Sequence, residues 1–305
     1  MEGIIEKIRK HPDRIWKGSR RRLLYLRKGM DDETYLKKAW RIEFGKELEL
    51  QNPKTFNEKL QWLKLYYHDP LMTDFVDKYK AKKCVAKIIG EEYVIPTYGV
   101  WDHFDDIDFE KLPRQFVLKC NHDSGGVVIC KDKKNFDYAA ARKKLEKSMK
   151  RNFYYAGREW AYKNVRPKIL AEKYMEDSSE EDLKDYKIFN FNGKAKLIQV
   201  DYDRFSDHKR NLYTPEWKYI DGSIQYPNHP EIKIPEPEQL KEMIGLAERL
   251  SERFPHVRTD FYIVKGKIYF GEMTFYHGSG MEHFHPEPLG RRMGDWLRLP
   301  DKKIV

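Results

Sequence analysis

Three side chains late in the chain, Arg258, Asp260 and Glu272, have types and spacing suited to chemistry on an anion. They fall in two runs that read as β-strands, residues 260–264 and 267–272, joined by Lys265-Gly266, where glycine supplies the positive φ of a tight hairpin turn. The two acids therefore meet near one open end of the hairpin, roughly one strand spacing of 5 Å apart. Carboxylates so placed suit Mg²⁺, which takes one or two acids and fills its other positions with waters and phosphates. Arg258 precedes Asp260 by two positions and shares its face. A fixed cation beside such a pair is what acyl or phosphoryl transfer requires.

Upstream elements must bring further charge to that hairpin. Residues 116–119 form a β-run ending in Lys119, the loop Asn121-His122-Asp123-Ser124-Gly125-Gly126 follows, and 127–130 form a second β-run. A strand lysine delivers a point charge, and Ser124, Gly125 and Gly126 let backbone N–H groups approach phosphate oxygens. No Gly-Lys-Ser/Thr opens a helix here, so this is not a Walker A loop. The polar stretch from Asp201 to Arg210 follows an apolar strand, and Arg204, His208 and Arg210 are candidates for holding a substrate carboxylate. His277, His283 and His285 lack the helical HExxH spacing of a zinc site.

Helices are expected at 31–44, 53–63, 73–87, 137–151 and 238–254, with Thr55 and Glu58 as a capping box. Residues 89–98 read as a strand, and Asn192-Gly193 as a hairpin turn.

Composition bounds the function. The 305 residues are 35% charged and 40% hydrophobic, which describes a globular chain of two or three subdomains and excludes a disordered one. The absence of a long apolar run or a secretory leader, together with three scattered cysteines, Cys84, Cys120 and Cys130, fits a cytoplasmic protein. The net charge of +10 points to acidic partners: nucleotide, nucleic acid, anionic sugar polymer or membrane surface. Nucleic acid is set aside because no reading module accompanies the charge. Residues 5–28 carry Lys7, Arg9, Lys10, Arg14, Lys17 and Arg20-Arg21-Arg22 around Trp16, Leu23 and Leu26. That pattern suits peripheral contact with an anionic membrane or a helical arm packed on the body.

The segments PKTFNEKLQWLK, FVLKCNHDSGG, KDYKIFNFNGK and RTDFYIVKGKIYFGEMTFYHGSG, spread over residues 53–280, resemble the ATP-grasp ligases, in particular the teichuronopeptide-biosynthesis (TupA-like) branch. The resemblance implies an α+β ATP-grasp fold, with two α+β subdomains clasping the nucleotide and a helical N-terminal extension. It divides the chain into a basic extension (1–70), a first part of the core (71–112), a glycine-loop lid (113–175) and a catalytic subdomain (176–305). ATP and Mg²⁺ are the implied cofactors. By resemblance Lys82 and Lys119 reach the phosphates, Glu172 faces the adenine amine, and Lys173, Tyr174 and Met175 line the ring. Asp185 takes the ribose position, with Lys187 on its face. The metal falls to Asp260, Glu272 and Thr274, the last standing where most members carry Asn. Ser279 and Gly280 lie in the substrate loop, and Arg258 holds the tetrahedral oxyanion.

The implied activity is an ATP-dependent carboxylate–amine ligase working through an acyl phosphate. It would join an amino acid to a uronic acid in cell-surface polysaccharide synthesis, for a capsule or teichuronopeptide of the cell wall. Three alternatives stand beside it. A kinase would share every nucleotide residue, a glycosyltransferase would use the Asp201-Tyr202-Asp203 pattern, and a basic membrane-surface protein would bind without catalysis.

Overall fold

The computed structural model describes residues 12–176, 184–202 and 209–304. Two antiparallel sheets organise them. The first joins β1 (Thr97–Trp101), β2 (Phe116–Cys120), β3 (Val127–Cys130) and β4 (Ile169–Lys173) in the order β1-β4-β2-β3. The helix Tyr138–Met149, started by Asp137, whose carboxylate accepts from Ala140 N–H, packs against β2 and β3. Phe116, Leu118, Leu145, Ile169 and Ala171 close a core separate from the main one.

The second sheet holds β5 (Asp185–Phe191), β6 (Lys194–Tyr202), β7 (Lys209–Tyr213), β8 (Tyr219–Ile220), β10 (His256–Val264) and β11 (Lys267–Thr274), in the order β11-β10-β5-β6-β7-β8. A short pair, β9 (Ser223–Ile224) with β12 (Phe284–His285), stands apart. The helix Leu240–Ser251 buries Leu240, Met243, Leu246, Ala247 and Leu250, one face at helical spacing, against β5, β6 and β10. From the other side Phe56, opening the helix Phe56–Tyr66, meets Phe189 and Phe191 edge-on at ring separations of 6.4 and 5.7 Å. Every residue of β5 is buried as a result, Asp185 and Lys187 included.

Most expected elements form, and the differences have local causes. The capping box at Thr55 and Glu58 is present, and the Asn192-Gly193 turn has φ of 50° and 76°. The helix expected at 73–87 divides into Pro70–Val76 and Lys78–Ile89, because Asp77 leaves the helical region and its Oδ1 accepts from the N–H groups of Tyr79 (3.0 Å) and Lys80 (3.3 Å). The strand expected at 89–98 is displaced to β1, which shares only 97 and 98 with it, since Gly90 at φ 125° leads into a 3-10 turn, Glu91–Tyr93. The late helix starts at Leu240 and not at Glu238.

The N-terminal helices, Pro12–Tyr25 and Asp32–Phe44, are docked on the body. Tyr35, Leu36, Ala39 and Trp40 are buried, and Arg158 donates to the carbonyls of Arg27 (3.2 Å) and Lys28 (3.3 Å) while stacking over Tyr35 at 4.4 Å. Leu24 faces inward, whereas Leu23 and Leu26 are 65% and 68% exposed.

Candidate active site

Register builds the site. The hairpin turns on Lys265 and Gly266, with φ of 51° and 74°, so both central residues take the left-handed conformation of a type I′ turn. From the turn the ladder runs Val264↔Lys267, Ile263↔Ile268, Tyr262↔Tyr269 and Phe261↔Phe270, and then skips Gly271 so that Asp260 faces Glu272 and Arg258 faces Thr274. On its other side β10 sets Asp260 against Lys187 and Tyr262 against Asp185; β6 sets Asp201 against Asp185, and β7 sets Arg210 against Asp201. Directly opposed residues share a face of the sheet. Five strands thus contribute to one polar surface.

On that surface Arg258 grips Asp260 in a two-point fork, Nε to Oδ1 at 2.7 Å and Nη2 to Oδ2 at 2.6 Å, and Nη2 also donates to Glu272 Oε1 at 3.0 Å. Its Nη1 lies 2.7 Å from His277 Nδ1. A guanidinium has only donors, so Nδ1 accepts and the imidazole proton sits on Nε2, which is 2.7 Å from Glu282 Oε2. Burial keeps His277 below its usual range, against the pull of Glu282. Glu282 is 3.3 Å from Arg210, Arg210 holds Asp201 at 2.8 Å, and Lys187 contacts Asp185, Asp201 (3.4 Å) and Asp260 (3.6 Å). The contacts close into a ring.

The two hairpin acids differ. Burial, with Asp185 and Glu272 nearby, pushes Asp260 up to about 6 despite Arg258 and Lys187. Desolvation would also raise Glu272, but Arg258, then Lys78, Lys187 and Lys119, holds it below the usual carboxylate range. The Glu272 side chain is 46% exposed. Its Oε1 takes Arg258 and the Thr274 hydroxyl (3.4 Å), and its Oε2 has no hydrogen-bond partner among the described residues.

Lysines of the first sheet and the helix Lys78–Ile89 stand within electrostatic reach of Glu272. Lys82 and Lys119 share Glu172, at 2.8 and 2.6 Å, and these two cations carry Glu172 down to about 2 against its burial. Lys78 lies one helical turn before Lys82, donates to the Asp123 carbonyl, and is within electrostatic reach of both Glu272 and Lys119. Burial lowers its pKa. Sequence reasoning chose Lys82 and passed over Lys78, although their spacing of four puts both on one helix face.

Several site expectations meet a different setting. Arg210 is not an open arm for a substrate carboxylate: it is 5% exposed, and Asp201, the Ile224 carbonyl (2.7 Å) and Glu282 occupy its donors. Gly126 owes its lack of a side chain to packing, since a Cβ would come within 2.7 Å of Cys120 Sγ and Ser148 Oγ, and its N–H serves Asp123 (2.9 Å). Ser124 and Gly125 are exposed, and a Cβ on Gly125 would meet nothing. Glu172 answers two lysines, and the Lys173 N–H bonds the Pro96 carbonyl (2.9 Å), with Tyr174 and Met175 half-buried beyond it. Asp185 and Lys187, expected at the ribose, are buried beside Asp260. Arg204, His208 and Asp203 lie outside the described residues. Asp201, the other acid of the Asp-x-Asp pattern, is taken by Arg210.

The loop after β11 is pinned by the helix Phe56–Tyr66. Lys64, 1% exposed, donates to Gln61 Oε1 (3.0 Å), the Ser279 carbonyl (2.8 Å) and Ser279 Oγ (2.9 Å), and Gln61 Nε2 donates to the Ser279 and Gly280 carbonyls. Burial brings Lys64 down to about 8. Gly280, at φ 61°, abuts Gln61 and Leu60 so closely that only glycine fits.

Among the described residues no group of three or more His, Cys, Asp or Glu side chains is set to hold a metal. What is present is an oxygen-only set: Asp260, Glu272 with its open Oε2, and the Thr274 hydroxyl. Mg²⁺ is commonly held by one or two carboxylates, with the nucleotide phosphates supplying the rest, so Glu272 and Thr274 fit it as they stand, and Asp260 would join them by exchanging a contact with Arg258.

Two antiparallel sheets with their helices, one bearing lysines and the other carboxylates within electrostatic reach of them, are of the ATP-grasp class. The family model described as TupA-like ATPgrasp matches residues 58–298, and the chain belongs to that family. No curated protein matches it in sequence. Solved structures similar to it include the D-alanine–D-alanine ligase of Bacillus anthracis complexed with ATP (17% identity, 66% of this chain and 53% of that chain, TM-score 0.39). An L-amino acid ligase of Bacillus licheniformis is similar at 17% identity, over 82% of this chain and 56% of that one, with a TM-score of 0.45. The ATP-grasp ligase PsnB, complexed with a phosphomimetic variant of its minimal precursor, Mg and ADP, is similar at 8% identity over 79% and 66%, with a TM-score of 0.39. The chain spans 53%, 56% and 66% of the lengths of these three proteins.

Proposed function

We propose that this protein is an ATP-dependent ligase that joins a carboxylate to an amine, the pair being a uronic acid and an amino acid in cell-surface polysaccharide synthesis. The observation that carries the reading is the pairing of two carboxylates, Asp260 and Glu272, with Arg258 bonded to both, within electrostatic reach of the lysines Lys78 and Lys119. A nucleoside triphosphate needs cations along its phosphates and a metal site at its reacting end. The resemblance of the four sequence segments supplies the finer choice of uronic acid and amino acid.

A carboxylate is a poor acyl donor until one oxygen becomes a leaving group. Lys78, Lys82 and Lys119 would offset phosphate charge. Asp260 and Glu272 would hold Mg²⁺, which supplies charge shielding where the phosphoryl group is transferred. Transfer from ATP to the substrate carboxylate gives an acyl phosphate and ADP; the amine then attacks the acyl carbon, phosphate leaves, and an amide remains. Arg258, locked by Asp260, Glu272 and His277, would act on the oxyanion that forms at that carbon as a fixed positive charge and not as an open donor. Ser279 and Gly280 would border the acid.

We keep the division into a basic extension (1–70), a first part of the core (71–112), a glycine-loop lid (113–175) and a catalytic subdomain (176–305); the separate core around Phe116, Leu145 and Ala171 supports the lid. We also take the protein to work at the cytoplasmic face of an anionic membrane, on the strength of Leu23 and Leu26 standing exposed beside Arg20-Arg21-Arg22.

The test is ATP consumption with a panel of uronic acids and amino acids, with ADP and amide followed together. ADP with an amide product is expected. ADP with a stable phosphorylated sugar acid would make it a kinase, and sugar transfer without ATP consumption would overturn the reading.

A further inference from the structure

A groove of about 940 Å³ opens on the lid between the helix Tyr138–Met149 and the turns at 104–109, and it shares no residue with the site described above. Its floor is apolar: Phe104, Ile107, Phe109 and the ring of Tyr138, which is 40% exposed. Its acids are already occupied, because Arg142 pairs with Asp105 and lies 3.7 Å from Glu146. Four cations remain along one wall, Lys143, Lys147, Lys150 and Arg151, and none makes an ion pair with a described residue. Lys143, Lys147 and Lys150 recur at intervals of four and three, so they stand in one row, about one cation per helical turn. The opposite face of the helix, Ala141, Leu145 and Ser148, is buried.

A row of unpaired cations beside an apolar floor attracts an extended polyanion. The groove is concave, so a bilayer surface could not reach its floor. Single-stranded nucleic acid would need successive exposed rings for its bases, and only Tyr138 among the aromatic residues of the floor is substantially exposed. An acidic sugar chain needs less: one ring for the C–H face of a sugar and a cation for each carboxylate. We infer that this groove binds an acidic glycan, with its carboxylates on Lys143, Lys147, Lys150 and Arg151 and one sugar face on Tyr138. The choice of a glycan rests on the proposed function, but binding in the groove requires no turnover.

The experiment measures binding of polygalacturonate to the full-length chain by calorimetry, with dextran, polyglutamate and polyuridylate as companion probes. K143E/K147E is compared with K218E/K241E, which reverses two exposed lysines elsewhere and matches the change in net charge. Binding of ATP is measured in each protein as a check on folding. Polygalacturonate should bind at least tenfold more tightly than the other three polymers. K143E/K147E should lose tenfold or more, while K218E/K241E and all ATP affinities stay near the parent. Absence of polygalacturonate binding by the parent, equal loss in both double variants, or tighter binding of polyglutamate or polyuridylate would overturn the inference. Loss of ligase activity on every acid tested would leave the binding result standing and count only against the ligase reading.

Discussion

The carboxylate cluster of the six-stranded sheet and the lysine cluster within electrostatic reach of it are held by different means. Around Asp260 each charge has several fixed partners, and Arg258 alone is gripped by Asp260, Glu272 and His277. In the lysine cluster, Lys82 and Lys119 share a single acid, Glu172, and Lys119 is 27% exposed. The first arrangement is preorganised: its geometry is set by strand register before any ligand arrives. In the second, any anion that came to these cations would have to compete with Glu172.

The largest difference should appear on removing one acid from each side of the hairpin pair. Asp260→Asn removes the buried partner of Arg258 and should cost about 3 to 5 kcal/mol of stability together with activity. Glu272→Gln, on an exposed side chain, should lower turnover about a hundred- to a thousand-fold with a melting temperature near the parent. Equal melting losses in the two variants would erase the contrast between fixed and open positions. Next comes Glu172→Gln. The carboxyl of Glu172 is shifted from 4.5 to about 2, and at about 1.4 kcal/mol per unit this amounts to roughly 3 kcal/mol. Because its folded value lies below its unfolded one, this stabilisation is fully present above pH 4.5 and is lost as the pH falls toward about 2. Urea titrations at pH 6 and pH 3 should therefore show the parent losing more stability than Glu172→Gln over that interval. Lys119→Ala should weaken nucleotide binding about tenfold or more, the worth of one charge-assisted contact, while leaving the acid ring intact. Unchanged ATP affinity would remove the lysines from the nucleotide. The smallest effect belongs to a region outside both clusters: L23S/L26S should reduce co-sedimentation with anionic vesicles several-fold at low salt, with ATP affinity unaltered.

How much of this was legible depended on whether the information was local. The hairpin, its turn and the position of Arg258 follow from alternation and a turn signal, but the pairing of Asp260 with Glu272 does not, because it needs the ladder to skip Gly271. The strand bearing Lys119 followed in the same way. The ring through His277, Glu282, Arg210 and Asp201 did not, because it depends on which strands are neighbours, and β10 lies beside β5, far away in sequence. Arg210 reads as an exposed arm of a polar loop, yet it sits within β7 and its guanidinium is sealed by an acid on β6. Lys64 shows the same limit. On a helix read for its apolar face, a fully buried lysine is indistinguishable from a solvated one until the loop that receives it is placed. Asp77 was the opposite case, a local signal whose role as a cap was passed over.

The skipped residue in β11 has a consequence for how such a site could arise or be lost. Carried without interruption from Val264↔Lys267, the ladder would set Gly271 across from Asp260 and turn Glu272 to the sheet's other side. The pairing of Asp260 with Glu272 is thus a matter of parity, and a single glycine sets it. A Cβ at Gly271 would come 2.9 Å from the Tyr262 ring and 3.1 Å from the Asp260 carbonyl, so the extra residue is accommodated only in its smallest form. Removing Gly271 would leave a hairpin of regular pairing in which Glu272 still faces Asp260, whereas drawing Gly271 into the ladder would put the two carboxylates on opposite sides of the sheet.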